Sequence, residues 1–172
     1  MRYINILSLM LISSIVLSAE TRAQTDQPMM EKSQVGIPLG SPFDRSMCAM
    51  DGVSAGGFDL ISYRHPDGPV LGTPEFSMEY NGFTYLFINR PNLDSFRADP
   101  EYFLPAYAGF CATTLALGRV LCPDFSNFKI EDDHLLLFEV TGFTNGRTLW
   151  DTNPESFRNK ADANFEKIDN PQ

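Results

Sequence analysis

Apolar and polar residues alternate from Phe76 to Tyr80, and an apolar-rich run follows from Phe83 to Ile88, the two reading as paired strands on either side of Asn81-Gly82. Alternation puts one face of a strand on a core. Asn-Gly suits the two positive-φ positions of a type I′ turn, so the pair predicts a hairpin. Pro91 to Ala98 then reads as a helix with Leu93 and Phe96 on one face. Asp99-Pro100 closes it and opens another helical turn, because proline is tolerated at the first helical position.

The same reasoning extends in both directions. Phe58 to Tyr63 alternates and is rich in strand formers, which predicts a strand, and Pro66-Asp67-Gly68-Pro69 predicts a turn after it. Phe110 to Leu117 predicts a helix stopped by Gly118. Phe128 to Ile130 and Leu135 to Val140 predict a second hairpin around Asp132-Asp133. Asn153-Pro154-Glu155 reads as a capped helix start, with Phe157, Ala161, Phe165 and Ile168 at helical spacing behind it. Two hairpins with segregated helices predict an α+β fold, a small antiparallel sheet with helices packed on it. No internal repeat is read from the pattern.

The N-terminus follows other rules. Arg2, the apolar run Ile4 to Leu17 and the small residues of Thr21-Arg22-Ala23 form a signal-peptide pattern over 1–23. The run is too short to predict a transmembrane helix, so no stable membrane insertion is expected after cleavage. Residues 24–46 read as a flexible leader and 47–172 as one domain. These ends imply a periplasmic or secreted protein.

Charge narrows the partners. The whole chain carries −9, and loss of 1–23 removes Arg2, Arg22 and Glu20, leaving 11 basic against 21 acidic residues and a net charge of −10. Nucleic acid and anionic membrane surfaces call for a basic face, so neither is an expected partner. An acidic surface is compatible with cationic ligands.

Tyr80-Asn81-Gly82-Phe83-Thr84-Tyr85-Leu86-Phe87 and Asp99-Pro100-Glu101-Tyr102 resemble blocks of the YHS domain family. Short members of that family resemble Asp-Pro-Val-Cys-Gly, then the hairpin, then Phe-Cys-Ser-x-x-Cys. The chain has Asp59-Leu60-Ile61-Ser62-Tyr63 and Phe87-Ile88-Asn89-Arg90-Pro91-Asn92 in those places. Ser62, Ile88 and Asn92 therefore occupy the positions of the family's metal cysteines, and they lack the thiolate or imidazole donors a soft metal needs. The longer, exported branch is the better match. Gly56-Gly57-Phe58-Asp59 with Tyr63, then Gly109-Phe110-Cys111-Ala112, then Lys160-Ala161-Asp162-Ala163-Asn164-Phe165 are similar to its blocks, in order. The resemblance implies a module that binds a metal ion or a small ligand without turnover.

Candidate chemistry centres on Cys111. It falls at the expected start of a helix, where peptide dipoles favour a thiolate, so it is a candidate metal ligand or reactive thiol, and equally a small core residue. Asp59, Tyr63, Tyr85 and Tyr107 would join it in one ligand-binding pocket if the first hairpin packs on that helix; tyrosines on strands are also ordinary packing residues. Three cysteines in an exported chain leave one over when two pair. Cys48–Cys122 frees Cys111, Cys111–Cys122 does not, and the sequence leaves both open. Met47-Cys48-Ala49-Met50, with Met29-Met30 upstream, offers soft donors for copper or another transition-metal ion. His65 and His134 read as turn residues. Gly52-Val53-Ser54-Ala55-Gly56 matches a nucleophile-elbow pattern, but a strand is expected after it rather than before, so it reads as a glycine-rich turn. The classes that remain are a ligand- or metal-binding domain, a thiol-dependent redox protein using Cys111, and an interaction module without a site.

Overall fold

The computed structural model of the chain describes residues 37–39 and 44–169. The expected signal peptide lies outside the described residues, as does most of the expected leader. The part of that leader that is described is tied to the domain. Ile37–Pro38 (β1) pairs antiparallel with Arg119–Val120, and Ile37 and Leu39 pack on the core. Asp44 caps a 3-10 turn over Arg45–Cys48, accepting from the Ser46 N–H at 2.8 Å.

The first hairpin is formed by Thr73–Tyr80 (β2) and Phe83–Phe87 (β3), joined through Asn81 at φ 49° and Gly82 at φ 82°. Arg90–Ala98 (α1) and Pro100–Phe103 (α2) follow, capped by Asn89 and Asp99. Then come Ala112–Ala116 (α3) and Arg119–Val120 (β4), with Gly118 at φ 81° turning the chain between them. Asp124–Glu131 (β5) and His134–Phe138 (β6) make the second hairpin, through Asp132 and Asp133, both at positive φ. A miniature hairpin, Val140–Thr141 (β7) with Thr144–Asn145 (β8), leads into Gly146–Trp150 (α4) and Pro154–Asp169 (α5). The fold is α+β, with small two-stranded antiparallel sheets and helices packed on them, as the pattern predicts.

Two sequence expectations need correction. Phe58 to Tyr63 is not a strand: after a single bridge from Phe58 to Leu71 the chain turns into a 3-10 helix over Ser62–Arg64. Asp59 causes this, because its Oδ1 accepts from the Ile61 N–H at 2.8 Å and its carbonyl accepts from the Ser62 hydroxyl at 2.6 Å. The helix expected from Phe110 begins at Ala112, because Phe110 and Cys111 are extended.

The fold also contains an internal repeat that the apolar pattern does not reveal. Each half opens on a turn with left-handed backbone. In the first, Ala55 (φ 52°, ψ 28°) and Gly56 (φ 59°, ψ 20°) precede Gly57; in the second, Tyr107 (φ 57°, ψ 36°) and Ala108 (φ 54°, ψ 26°) precede Gly109. A phenylalanine closes each turn, Phe58 donating its N–H to Ala55 and Phe110 to Tyr107. The next residue donates its N–H to a carbonyl shortly before the hairpin, Asp59 to Val70 at 2.9 Å and Cys111 to Leu121 at 3.0 Å. The hairpins share one register: every pair of the second lies 51 positions beyond its counterpart, from Thr73↔Phe87 and Asp124↔Phe138 to Tyr80↔Phe83 and Glu131↔His134, with the same irregularity after the first pair. Each half then has an asparagine-capped helix (Asn89, Asn145) and an Asx-Pro-Glu start to the next one, Asp99-Pro100-Glu101 and Asn153-Pro154-Glu155. The second half adds β7–β8 and extends its last helix to 16 residues, against 4 in α2.

Each half has its own core. Leu60, Tyr63, Tyr85, Phe87, Leu93 and Phe96 form one; Phe110, Leu115, Phe138, Trp150, Ala161 and Ile168 belong to the other. Strand β6 joins them, with Leu135 and Leu137 in the first core and Leu136 and Phe138 in the second. That explains its unbroken apolar sequence, since a strand buried on both faces loses its alternation.

The repeat supplies an internal control for a mutation. A Cβ at Gly56 would meet the Phe125 ring at 2.5 Å, whereas one at Gly52 meets nothing within 4 Å, and both glycines have positive φ. Ala108 stands at the position equivalent to Gly56 and tolerates the same backbone. Gly56→Ala is therefore expected to destabilise the fold by about 3 kcal/mol through strain plus overlap. Gly52→Ala should cost about 1 kcal/mol through strain alone. Urea midpoints of the two variants check the difference; equal losses would remove the contact with Phe125 from the account.

Candidate functional site

Asp59 is fully buried and is held by three N–H donors. Ile61 N–H serves Oδ1, while Oδ2 accepts from the Ile88 N–H at 2.9 Å and from the Asn92 side-chain amide at 2.7 Å. Ser62 lies beside it, donating to the Asp59 carbonyl and accepting from the Val70 N–H at 2.9 Å. The three positions that the family resemblance gives to metal cysteines thus converge on Asp59: Ile88 and Asn92 on its carboxylate and Ser62 on its carbonyl. What Ile88 and Asn92 present to that centre is N–H, the wrong polarity for a cation. The arrangement closes the first half by tying its opening turn to the residue leaving β3 and to α1.

Cys111 occupies the equivalent place in the second half. Its sulfur accepts from the Glu139 N–H at 3.2 Å, and Glu139 leaves β6 as Ile88 leaves β3. The residue has no exposed surface, and burial pushes its thiol above the ordinary value, against weaker opposing hydrogen bonds around Thr114 and Glu139. Cys111 is unbridged; the disulfide is Cys48–Cys122, with Cα atoms 5.3 Å apart. Cys48 is consequently not a free thiolate in the Met47–Met50 cluster, and no group of three or more His, Cys, Asp or Glu among the described residues is placed to hold a metal ion.

The tyrosines divide. The Tyr63 hydroxyl donates to the Phe125 carbonyl at 2.7 Å and its ring meets Phe128 edge-on at 5.0 Å, joining the first half to β5. Burial, helped by the Asp124 charge, raises that hydroxyl far above the ordinary tyrosine value. Tyr85 and Tyr107 instead share a cleft of about 370 Å³ between the halves. The expected convergence of Asp59, Tyr63, Tyr85, Tyr107 and Cys111 on one pocket is therefore not what the fold builds. The first hairpin packs on its own turn and α1, and Cys111 faces the end of β6, so only Tyr85 and Tyr107 meet the same space.

Both left-handed turns line that cleft, through Ser54 and Ala55 on one side and Ala106 to Gly109 on the other. Non-glycine residues in this conformation cost about 1 kcal/mol or more each and persist only where their surroundings hold them. Tyr107 is held by its hydroxyl, which donates to Asp162 Oδ1 at 2.8 Å, and by an edge-on contact with Phe165. Burial, followed by Asp162, raises that hydroxyl strongly. Burial also raises Tyr85, beside Ser54. Phe83, Phe125 and Phe165 complete an aromatic lining. Arg45 pairs with Asp169 at one part of the wall, and Glu101, which accepts from the Tyr80 hydroxyl at 2.6 Å, stands at another. His134 reaches the cleft from the start of β6, whereas His65 is exposed outside it.

Sequence reading missed Phe83, Phe125 and Glu101 as cleft residues. One signal was available: Ala55-Gly56-Gly57-Phe58 and Tyr107-Ala108-Gly109-Phe110 are two versions of one turn, and aligning them aligns the hairpins behind them. Searches of protein-family models, curated proteins and solved structures find no match to the chain.

Two outcomes test these assignments. Asp59→Ala strands the Ile88 and Asn92 donors in the core and is expected to cost about 3 kcal/mol, enough to shift a denaturation midpoint visibly; a loss below about 0.5 kcal/mol would show the carboxylate to be dispensable. Cys111 should resist alkylation by iodoacetamide near neutral pH in the folded chain and react once urea unfolds it. Labelling of the native protein at the rate of a free thiol would contradict its burial.

Proposed function

We propose that the chain is an exported YHS-like domain that binds a small organic ligand in the cleft between its two halves, without turning it over. The observation that carries this is the cleft itself. It is concave, carries Phe83, Tyr85, Tyr107, Phe125 and Phe165 in its lining and is bounded by backbone held in left-handed turns, with hydroxyl and carboxylate groups among its walls. Sites of this size with a few convergent polar groups are the usual form of small-molecule pockets. The N-terminal signal pattern and the Cys48–Cys122 bridge support export, because disulfides persist in oxidising compartments. No helix among the described residues is long and apolar enough to cross a membrane.

A small ligand is favoured over a metal ion by the donor set. Two of the three equivalents of the metal cysteines, Ile88 and Asn92, turn N–H groups on a carboxylate, and the Cys111 sulfur is buried against a backbone donor. The same burial argues against thiol chemistry at Cys111, since the thiolate is the reactive form.

A fragment screen by protein-observed NMR on the mature chain tests the reading. Small aromatic fragments such as p-cresol are expected to shift Tyr85, Tyr107 and the two turns in a saturable way. Ser54→Trp, which fills the cleft from one wall, should abolish those shifts while leaving the circular dichroism spectrum unchanged. Fragments that bind a folded Ser54→Trp variant as well as the parent, or that leave the cleft resonances unmoved, would overturn the proposal.

A further inference from the structure

The charges around the cleft are unevenly paired. Arg45, a cation on its wall, is bound to Asp169. Among the described residues no cationic side chain lies within ion-pair distance of Glu101. Glu101 is instead fixed by the Tyr80 hydroxyl, which donates to Oε1 at 2.6 Å and leaves Oε2 available. Asp99 starts the short helix that carries Glu101, so the carboxylate is set by a capped turn rather than by a long flexible loop.

Aromatic side chains line the same cleft as Glu101. Phe83 and Tyr85 come from β3 and line it together with Glu101 and Asn81. Tyr80 and Tyr85 both pack on Phe96, at ring-centroid distances of 6.0 and 5.0 Å, which fixes the aromatic wall against the first core. The Glu101 charge contributes to raising both the Tyr80 and the Tyr85 hydroxyls, so it acts on both tyrosines. Tyr107 and Phe165 face the cleft from the second half.

An unpaired carboxylate beside aromatic rings has a definite chemical preference. A cation placed there gains attraction to the carboxylate and to the ring quadrupoles, and its alkyl groups cover apolar surface. An anion meets repulsion from Glu101 in a chain that already carries −9. We infer that the ligand of this cleft is a small free organic cation, an alkylammonium or quaternary ammonium, with its charge at Glu101 and its alkyl groups against Phe83 and Tyr85. The inference rests on the cleft-binding reading and specifies its ligand class.

The internal repeat provides the control. Glu155 follows Asn153-Pro154 as Glu101 follows Asp99-Pro100; both are exposed, but Glu155 is absent from the cleft wall. Choline and its uncharged carbon isostere dimethylbutanol are titrated into the mature chain, with p-cresol as a neutral aromatic probe, and followed by NMR shifts at Tyr85 and Tyr107. Choline is expected to bind about tenfold tighter than the isostere. Glu101→Gln should cut choline affinity about tenfold and leave p-cresol unchanged, and Glu155→Gln should change neither.

Equal affinity for choline and its isostere, or choline affinity untouched by Glu101→Gln, overturns the cation assignment. So does binding of p-cresol without choline; in each of these cases the cleft remains a ligand site. Failure of all three probes to move the cleft resonances overturns the cation assignment and the cleft reading together.

Discussion

The structure depends on one constraint, the capture of a backbone N–H as the chain leaves each hairpin. In the first half the acceptor is the Asp59 carboxylate, and in the second it is the Cys111 sulfur. Both acceptors stand immediately after a left-handed turn and a phenylalanine. That placement carries the acceptor under the hairpin, where the N–H would otherwise be buried without a partner, a loss of about 1–3 kcal/mol. The captured N–H ties the end of each hairpin to the turn that opens its half.

The two halves use chemically different acceptors for the same geometric task. A carboxylate can take several donors at once, and Asp59 uses this to bind Asn92 and Ile61 as well. A buried thiol is a weaker and less polar partner, and the second half has in addition a buried tryptophan and a longer final helix. Trp150 and Phe138 meet there at 5.7 Å, and α5 supplies Ala161 and Ile168. A carboxylate in one half and a thiol in the other thus serve the same arrangement of turn, hairpin and helix.

Much of the fold was legible in local chemistry. Asn81-Gly82, Asp132-Asp133, the Asx-Pro-Glu starts and Gly118 each mark a boundary that the structure places within a few residues. The errors share a cause. Phe58 to Tyr63 has strand composition, but the Asp59 side chain competes for the backbone and turns it, and composition alone does not weigh that competition. The internal repeat was hidden because the halves preserve backbone conformation and register while exchanging side-chain types: Asp59 for Cys111, Ala55 for Tyr107, Phe96 for Trp150. The cleft was only half legible. Tyr85 and Tyr107 were visible as candidates, but which residues face them depends on how the two halves pack, and that is settled by long-range contacts such as Tyr63 to Phe125.

The disulfide has a topological consequence. Cys48 and Cys122 are separated by 74 positions, and the span between them holds the whole first half and, of the second, its opening turn, α3 and β4. The chain from Cys48 to Cys122 is therefore a closed covalent ring, from which the second hairpin and the helices after it extend as a tail. A single backbone cut anywhere inside the ring opens it without dividing the molecule, so the peptide chain remains one covalent piece as long as the bridge is oxidised. While the bridge is oxidised, a first proteolytic nick in the ring leaves the cleft walls tethered to one another.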